Sequence, residues 1–156
     1  MRKFIKTTLI EFLNENHNDL IEVVPNKYVY HTSNPFFRDK ISKMGLIPKG
    51  KSEAWLDDTK IDGKVIFAVN SDNRKDWWSS GYNDDLYRID TTNLKNKWYY
   101  DPNFVEGIYK VDKPDRIITF EPIPINAIEL IYKGTGENLD DSKISYHKMI
   151  KNKLKE

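Results

Sequence analysis

The stretch YVYHTSNPFFRDKISKMGLIPKG, residues 28–50, joins a short apolar strand to a short helix. Ser33 or Asn34 is a suitable cap for this helix, and Pro35 fits its first turn, where no amide hydrogen is needed. Gly45 favours the left-handed backbone position just past a helix end. The residues expected to be buried in this helix and directly after it are Phe36, Phe37, Ile41, Met44, Leu46 and Ile47.

Short strands dominate the chain after this segment. Apolar or alternating runs predict strands at residues 64–69, 86–91, 116–121 and 127–132, and GIYKV predicts a brief one. Helices between these strands are scarce, so the order predicts an α+β domain with a mixed or antiparallel sheet, and not a doubly wound parallel sheet. We expect a single domain over residues 1–156, with an N-terminal helix in 1–20, a core at 28–132 and a basic C-terminal helix at 137–156.

Composition restricts the class of protein. The 156 residues suit one domain, and the 25 basic and 24 acidic residues nearly cancel, which gives no support for a general nucleic-acid or membrane binder. The chain has no cysteine, which excludes disulfides and cysteine catalysis, and no run of about 20 apolar residues to span a bilayer. The amphipathic start MRKFIKTTLIEFL lacks the features of a signal peptide, so we expect a cytoplasmic protein.

His31 is the first candidate for a functional side chain. At a strand end its ring can hydrogen-bond a ligand hydroxyl or phosphate, and Thr32 and Ser33 add donors that suit a ribose. The alternative is a histidine satisfied by a backbone carbonyl, with Ser33 capping the helix. No HxH or HExxH spacing occurs, so no metal site is predicted. Adjacent acids such as Asp84 and Asp85 are expected to be solvated in a loop.

Three segments together resemble a known family. YVYHTS followed by ISKMGLIP looks like the first motif of the ADP-ribosyltransferase superfamily. VIFAVNSDNRKDWW is similar in placement to the second motif, and RIITFEPIPINAIELI resembles the last. The resemblance is to the histidine class, related to DNA-targeting toxin transferases and RNA 2′-phosphotransferases, and to its small bacterial or phage members. It implies split mixed or antiparallel sheets with flanking short helices, and NAD as a substrate.

The resemblance also implies roles for individual residues in a cleft that holds NAD. His31 would hydrogen-bond a hydroxyl of the nicotinamide-side ribose, with Thr32 or Ser33 beside it. Phe67, or a tyrosine such as Tyr82, would pack on the nicotinamide. Arg38 or Arg74 would hold the pyrophosphate, because arginine offers a planar fork of donors. The residues implied to bind NAD are His31, Thr32, Ser33, Phe67, Arg38, Arg74 and Arg116.

A carboxylate is the other implied part of the catalytic site, with His31. Departure of nicotinamide builds positive charge on the ribose carbon, which a nearby carboxylate stabilises. Asp115 and Glu121 are the candidates, and Arg116 stands where transferases of the superfamily often place a glutamate. The acceptor of the ADP-ribose would be a macromolecule, either protein or nucleic acid.

Two other functions remain open from the sequence. One is a non-catalytic interaction or inhibitor module on the same fold, with Trp98, Tyr99 and Tyr100 at its contact surface. The other is an RNA 2′-phosphotransferase, which needs several arginines to converge with His31. The chain offers five arginines for that purpose, namely Arg2, Arg38, Arg74, Arg88 and Arg116.

Overall fold

Seven strands form one sheet in the part of the chain that the computed structural model describes, which is residues 20–49, 64–72, 82–101 and 115–138. The helices of these residues are short: α1 (Arg38–Met44) and two 3-10 turns, Pro35–Phe37 and Ile125–Ala127. The strands are β1 (Glu22–Val23), β2 (Tyr28–Ser33), β3 (Ile66–Val69), β4 (Asp85–Asp90), β5 (Trp98–Tyr100), β6 (Arg116–Thr119) and β7 (Ile128–Tyr132).

The strands lie in the order β1-β5-β6-β3-β2-β4-β7, and every described pair of neighbours is antiparallel. β2 lies between β3 and β4, and it pairs with β4 along its whole length, from Tyr28 opposite Asp90 to Ser33 opposite Asp85. This antiparallel sheet with short helices belongs to the expected α+β class. The described strands form a single sheet, and the split sheets that the resemblance implies are not confirmed. The four longer strands predicted from the sequence are confirmed as β3, β4, β6 and β7, although their ends shift slightly.

Alternation along β2 places apolar side chains on both faces of the sheet. Val29 is fully buried in the main core cluster, which includes Ile41 of α1, so α1 packs on this face. Tyr30 faces the opposite side and packs with Val69 and Leu86. We refer to the two sides as the Val29 face and the Tyr30 face. His31 and Ser33 share the Val29 face, because they follow Val29 at intervals of two residues.

The segment after β2 begins as predicted but buries fewer side chains. Asn34, rather than Ser33, is the cap: its side-chain oxygen accepts a 2.9 Å hydrogen bond from the Phe36 amide, and Pro35 opens the turn. The predicted burial of Phe36 and Met44 is wrong, because they are 85% and 56% exposed. The segment starts as a 3-10 turn, whose tighter winding takes Phe36 off the face that α1 buries.

Gly45 ends α1 with a positive φ of 74°, as predicted, but its ψ of −167° is extended rather than left-handed helical. The extended backbone lets Leu46 exchange two backbone hydrogen bonds with Ile123, of 3.0 and 2.9 Å. Leu46 is therefore buried and takes the core position beyond the helix end. Ile47 was expected in the core as well, but it is 39% exposed, because alternation turns it away from the side that Leu46 buries.

Several predicted elements lie outside the described residues: the helix in residues 1–20, the strand at GIYKV and most of the basic helix at 137–156. No helix in the part of the chain that the structure describes is long and apolar enough to cross a membrane. β5 was not predicted as a strand. It forms antiparallel backbone hydrogen bonds with β1 and β6. The aromatic composition of NKWYY does not indicate this pairing.

Replacing Gly45 by alanine is expected to lower the free energy of unfolding by about 3 kcal/mol or more. The added Cβ would lie 2.2 Å from the carbonyl oxygen of Ile123, and the positive φ adds strain. Gly136→Ala is the matched control, because Gly136 also has a positive φ, of 78°. A Cβ added there would lie 3.8 Å from the ring atoms of Pro35, which is ordinary van der Waals contact. We expect it to cost about 1 kcal/mol in urea unfolding. Equal losses would contradict the close approach at Gly45.

Candidate functional site

The imidazole of His31 has one ring nitrogen fixed by the backbone. Nδ1 lies 2.6 Å from the carbonyl oxygen of Phe67, and because a carbonyl only accepts, Nδ1 carries the proton and donates it. In the neutral ring Nε2 is then an acceptor, and no described residue bonds it. The alternative of a histidine bonded to a backbone carbonyl is thus observed at Nδ1, and Nε2 has a lone pair that no described residue uses.

His31 favours the neutral form. Burial lowers the pKa of His31 below its ordinary value of 6.5, the positive charge of Lys49 lowers it further, and the hydrogen bond to Phe67 opposes both. The residue is nevertheless partly exposed at the surface. A neutral imidazole near pH 7 binds by accepting a hydrogen bond and not by attracting an anion.

Tyr87 is the nearest polar neighbour across the sheet. His31 and Tyr87 stand directly opposite each other in the β2–β4 register, so their side chains share the Val29 face. Tyr87 is only 3% exposed, and its hydroxyl has no hydrogen-bond partner among the described residues. Burial, and then the nearby Asp85 carboxylate, raise the pKa of Tyr87 to about 12, so the hydroxyl stays protonated.

A buried ion pair borders these two residues. Arg38 donates from Nε to Asp85 Oδ2 at 2.8 Å and from Nη2 to Asp85 Oδ1 at 2.6 Å. The amide of Gly134 donates to the same Oδ1 at 2.8 Å, and Gly134 O accepts from Arg38 Nη2 at 3.0 Å. The Asp85 side chain is 0% exposed, and Asp84 is buried as well. The expectation of solvated acids here was wrong, because Arg38 and Gly134 neutralise and cover the Asp85 carboxylate.

The side chains of His31, Ser33, Asp85, Tyr87 and Arg38 form what we call the His31 cluster. Ser33 belongs to it by register, since it stands opposite Asp85 on the Val29 face. Sequence reasoning missed Tyr87 and Asp85. The alternation in LYRIDTT indicated a strand, but only the register of β2 against β4 shows which of its side chains meet His31.

Two predicted NAD-binding side chains lie on the other face. Thr32 alternates with His31, and the Phe67 side chain packs with Val65 and Ile118, away from the Val29 face. Phe67 contributes its carbonyl to the site, through the bond to His31. Alternation along β3 instead places Ile66 and Ala68 on the Val29 face, both in the main core.

The two predicted carboxylates are engaged with their own neighbours. Asp115 lies 3.3 Å from Arg116 in an ion pair, and its side chain is 37% exposed. Glu121 Oε2 accepts from the Lys97 amide at 3.0 Å and from the Thr119 hydroxyl at 3.4 Å. β6 is separated from β2 by β3, so its backbone is about 10 Å from that of His31. No described contact joins either carboxylate to His31.

The other predicted residues are dispersed. Arg116 stands opposite Val69 in the β3–β6 register, which places it on the Tyr30 face. Tyr82 is 41% exposed and pairs with Asn138 in an isolated bridge. Arg74 lies outside the described residues.

Lys49 adds positive charge beside His31. Its Nζ lies 3.2 Å from the centre of the Phe37 ring, and Phe37 packs against the main core. Burial and then the charge of Lys40 lower the pKa of Lys49. Among the described residues no carboxylate forms an ion pair with Lys49. An anionic group near His31 would therefore meet a lysine that no described acid neutralises. No group of three metal-ligating side chains occurs in the described ranges.

The aromatic contact surface expected for an interaction module is reduced. Trp98 is 1% exposed and belongs to the main core, so it is not available to a partner. Tyr99 and Tyr100 are partly exposed, but alternation along β5 turns them to opposite faces.

No protein-family model matches the chain, and no curated protein matches its sequence.

Changing Asp85 to asparagine is expected to lower the free energy of unfolding by about 2–3 kcal/mol, because the buried group loses its charge-assisted hydrogen bonds from Arg38, whose own side chain is 31% exposed and therefore partly hydrated. Glu129→Gln is the control, since it removes the carboxylate of the Arg88–Glu129 pair, whose side chains are 36% and 62% exposed. It should cost about 1 kcal/mol or less in urea unfolding. Similar losses in the two variants would show that burial of Asp85 contributes little.

Stability is expected to fall with decreasing pH because of His31. The folded-state pKa of His31 is below 6.5, so the unfolded chain binds more protons as the pH drops from 6.5 toward that lower value. His31 therefore lowers the free energy of unfolding as the pH falls through this window. Well above pH 6.5 it adds nothing to the pH dependence of that free energy. His31→Gln should flatten the dependence measured by urea unfolding from pH 5 to 8. An unchanged slope would contradict the lowered pKa.

Proposed function

We propose that this protein binds NAD and transfers ADP-ribose from it to a macromolecular acceptor, either protein or nucleic acid. The observation that carries the proposal is the hydrogen bond from His31 Nδ1 to the Phe67 carbonyl, which leaves Nε2 as an oriented acceptor. This arrangement agrees with the role that the resemblance of YVYHTS to the superfamily implies for His31.

In this proposal His31 binds and orients the substrate. Nε2 accepts a hydrogen bond from a hydroxyl of the nicotinamide-side ribose, and the neutral ring suits this task because its pKa is lowered. The carbonyl of Phe67 prevents the ring from rotating, so the ribose is held in one orientation. Holding the reacting carbon in a fixed orientation removes part of the entropic barrier to substitution.

The charges near His31 support a ligand with a pyrophosphate. Lys49 has no acidic partner among the described residues, and its charge acts directly on His31. Arg38 donates to Asp85 from Nε and Nη2. Nη1 remains as a donor for a ligand, and the side chain is 31% exposed. In the proposed complex Lys49 and Arg38 lie toward the phosphates and His31 toward the ribose.

The reaction is a substitution at the ribose carbon. The bond from this carbon to nicotinamide breaks, and neutral nicotinamide leaves with the electron pair. A lone pair on an acceptor oxygen or nitrogen forms the new bond, and the acceptor proton passes to solvent. Asp115 or Glu121 would stabilise the positive charge of the transition state, as the resemblance implies.

The positions of the arginines weigh against an RNA 2′-phosphotransferase. Arg88 and Arg116 stand opposite Tyr30 and Val69 in their registers, so both belong to the Tyr30 face, away from His31. Each also has a nearby carboxylate, in Glu129 or Asp115. Arg38 differs from them, because its partner Asp85 stands opposite Ser33 on the face that carries His31.

His31→Ala is expected to weaken NAD binding in titration calorimetry by about tenfold or more, since it removes a hydrogen bond made inside the site. His147→Ala is the control, because it removes the same residue type at a position with no implied role. A second assay follows transfer of labelled NAD to protein and nucleic acid in a cell extract, and His31→Ala should abolish this labelling. Absence of both NAD binding and labelling with the intact protein would overturn the proposal, and release of 2′-phosphate from RNA would favour the phosphotransferase.

A further inference from the structure

We propose that the hydroxyl of Tyr87 is a second ligand-binding group, which donates a hydrogen bond to the ribose hydroxyl that His31 binds. This inference rests on the proposed function and extends it to a residue outside the three segments that resemble the superfamily. It depends on the position of Tyr87 beside His31 and on the unsatisfied state of its hydroxyl.

The register places the two side chains together. Tyr87 and His31 are directly paired across β2 and β4, and the Cβ atoms of such pairs lie about 4.5–5.5 Å apart. Both side chains stand on the Val29 face. Because the Tyr87 hydroxyl itself is buried, a ligand group bound at His31 would reach it only after a small movement of the Tyr87 side chain or of a neighbour.

The hydroxyl of Tyr87 is closed to water, and it lies near the Asp85 carboxylate without making a well-formed hydrogen bond to it or to any other described group. Tyr132 shows the usual arrangement, since its buried hydroxyl donates to Asn83 Oδ1 at 2.7 Å. An unpaired buried hydroxyl is unfavourable, and phenylalanine would fill the same volume without that penalty. A ligand atom that accepts from Tyr87 would remove the penalty. The cost of the unpaired hydroxyl is therefore present in the ligand-free protein and absent in the complex.

A ribose hydroxyl matches the two protein groups. It can donate its own proton to Nε2 of His31 and accept the proton of the Tyr87 hydroxyl with its oxygen. Asp85 is a competing acceptor near the Tyr87 hydroxyl, but its Oδ1 already accepts from Arg38 and Gly134 and its Oδ2 from Arg38, so a bond from Tyr87 would have to use the remaining lone pair of Oδ2. A sugar hydroxyl is donor and acceptor at one atom. The edge of a nicotinamide or adenine ring carries its donors and acceptors on different atoms, so it would need a different pairing with the two protein groups.

The test compares Tyr87→Phe with Tyr132→Phe, which makes the same change at another buried tyrosine. Tyr87→Phe should leave the melting temperature of the ligand-free protein equal or higher and weaken NAD binding in calorimetry by about tenfold. Tyr132→Phe loses its bond to Asn83, so the melting temperature should fall by about 3 °C while NAD affinity stays unchanged. Unchanged NAD affinity in Tyr87→Phe, or a loss of stability like that of Tyr132→Phe, would overturn the inference.

Deoxy analogues of NAD locate the bond. For the analogue that lacks the bonded hydroxyl on the nicotinamide-side ribose, 2′ or 3′, Tyr87→Phe should cause no further loss of affinity, because the two changes remove the same interaction. Equal losses with NAD and with both analogues would assign Tyr87 a structural role instead. If the intact protein binds no NAD, the proposed function fails and this inference fails with it. If the intact protein binds NAD and Tyr87→Phe binds equally well, only the inference fails.

Discussion

The carboxylate of Asp85 has no exposed surface, and three hydrogen bonds from Arg38 and Gly134 hold it. A buried charge costs several kcal/mol unless it is paired and fully hydrogen-bonded, so the bonds cannot be exchanged for water. They join the start of β4 to the start of α1 and to the chain after β7. Because Ser33 stands opposite Asp85, the same constraint holds the end of β2, where His31 lies.

The apolar core and the His31 cluster share the Val29 face, and this proximity explains the chemistry of the imidazole. The main core begins two residues before His31, at the fully buried Val29, and includes its cross-strand neighbour Tyr87. Close packing and a backbone hydrogen bond orient the ring, and burial keeps it neutral. The ring is thereby held as a hydrogen-bond acceptor, which in the proposed complex bonds a sugar hydroxyl while Lys49 and Arg38 attract the phosphates.

The two faces of the sheet separate residues that are close together in the sequence. Thr32 and the Phe67 side chain lie on the Tyr30 face, although Thr32 adjoins His31 and the Phe67 carbonyl accepts its bond. Arg116 lies on that face too. The proposed transferase therefore uses a different set of neighbours from the one that the motifs imply, with Tyr87 and Lys49 near His31 in place of Phe67 and Thr32.

The sequence by itself determined the local elements of this protein. Apolar runs predicted β2, β3, β4, β6 and β7, and Asn34, Pro35 and Gly45 marked the ends of the helical segment, because caps, proline and glycine act through adjacent backbone groups. It also singled out His31. Only the tertiary structure decided the strand order and register, and with them the pairing of His31 with Tyr87 and the burial of Asp85. The register of β2 against β4 depends on contacts between residues more than fifty positions apart, and the alternation of one strand does not specify its partner.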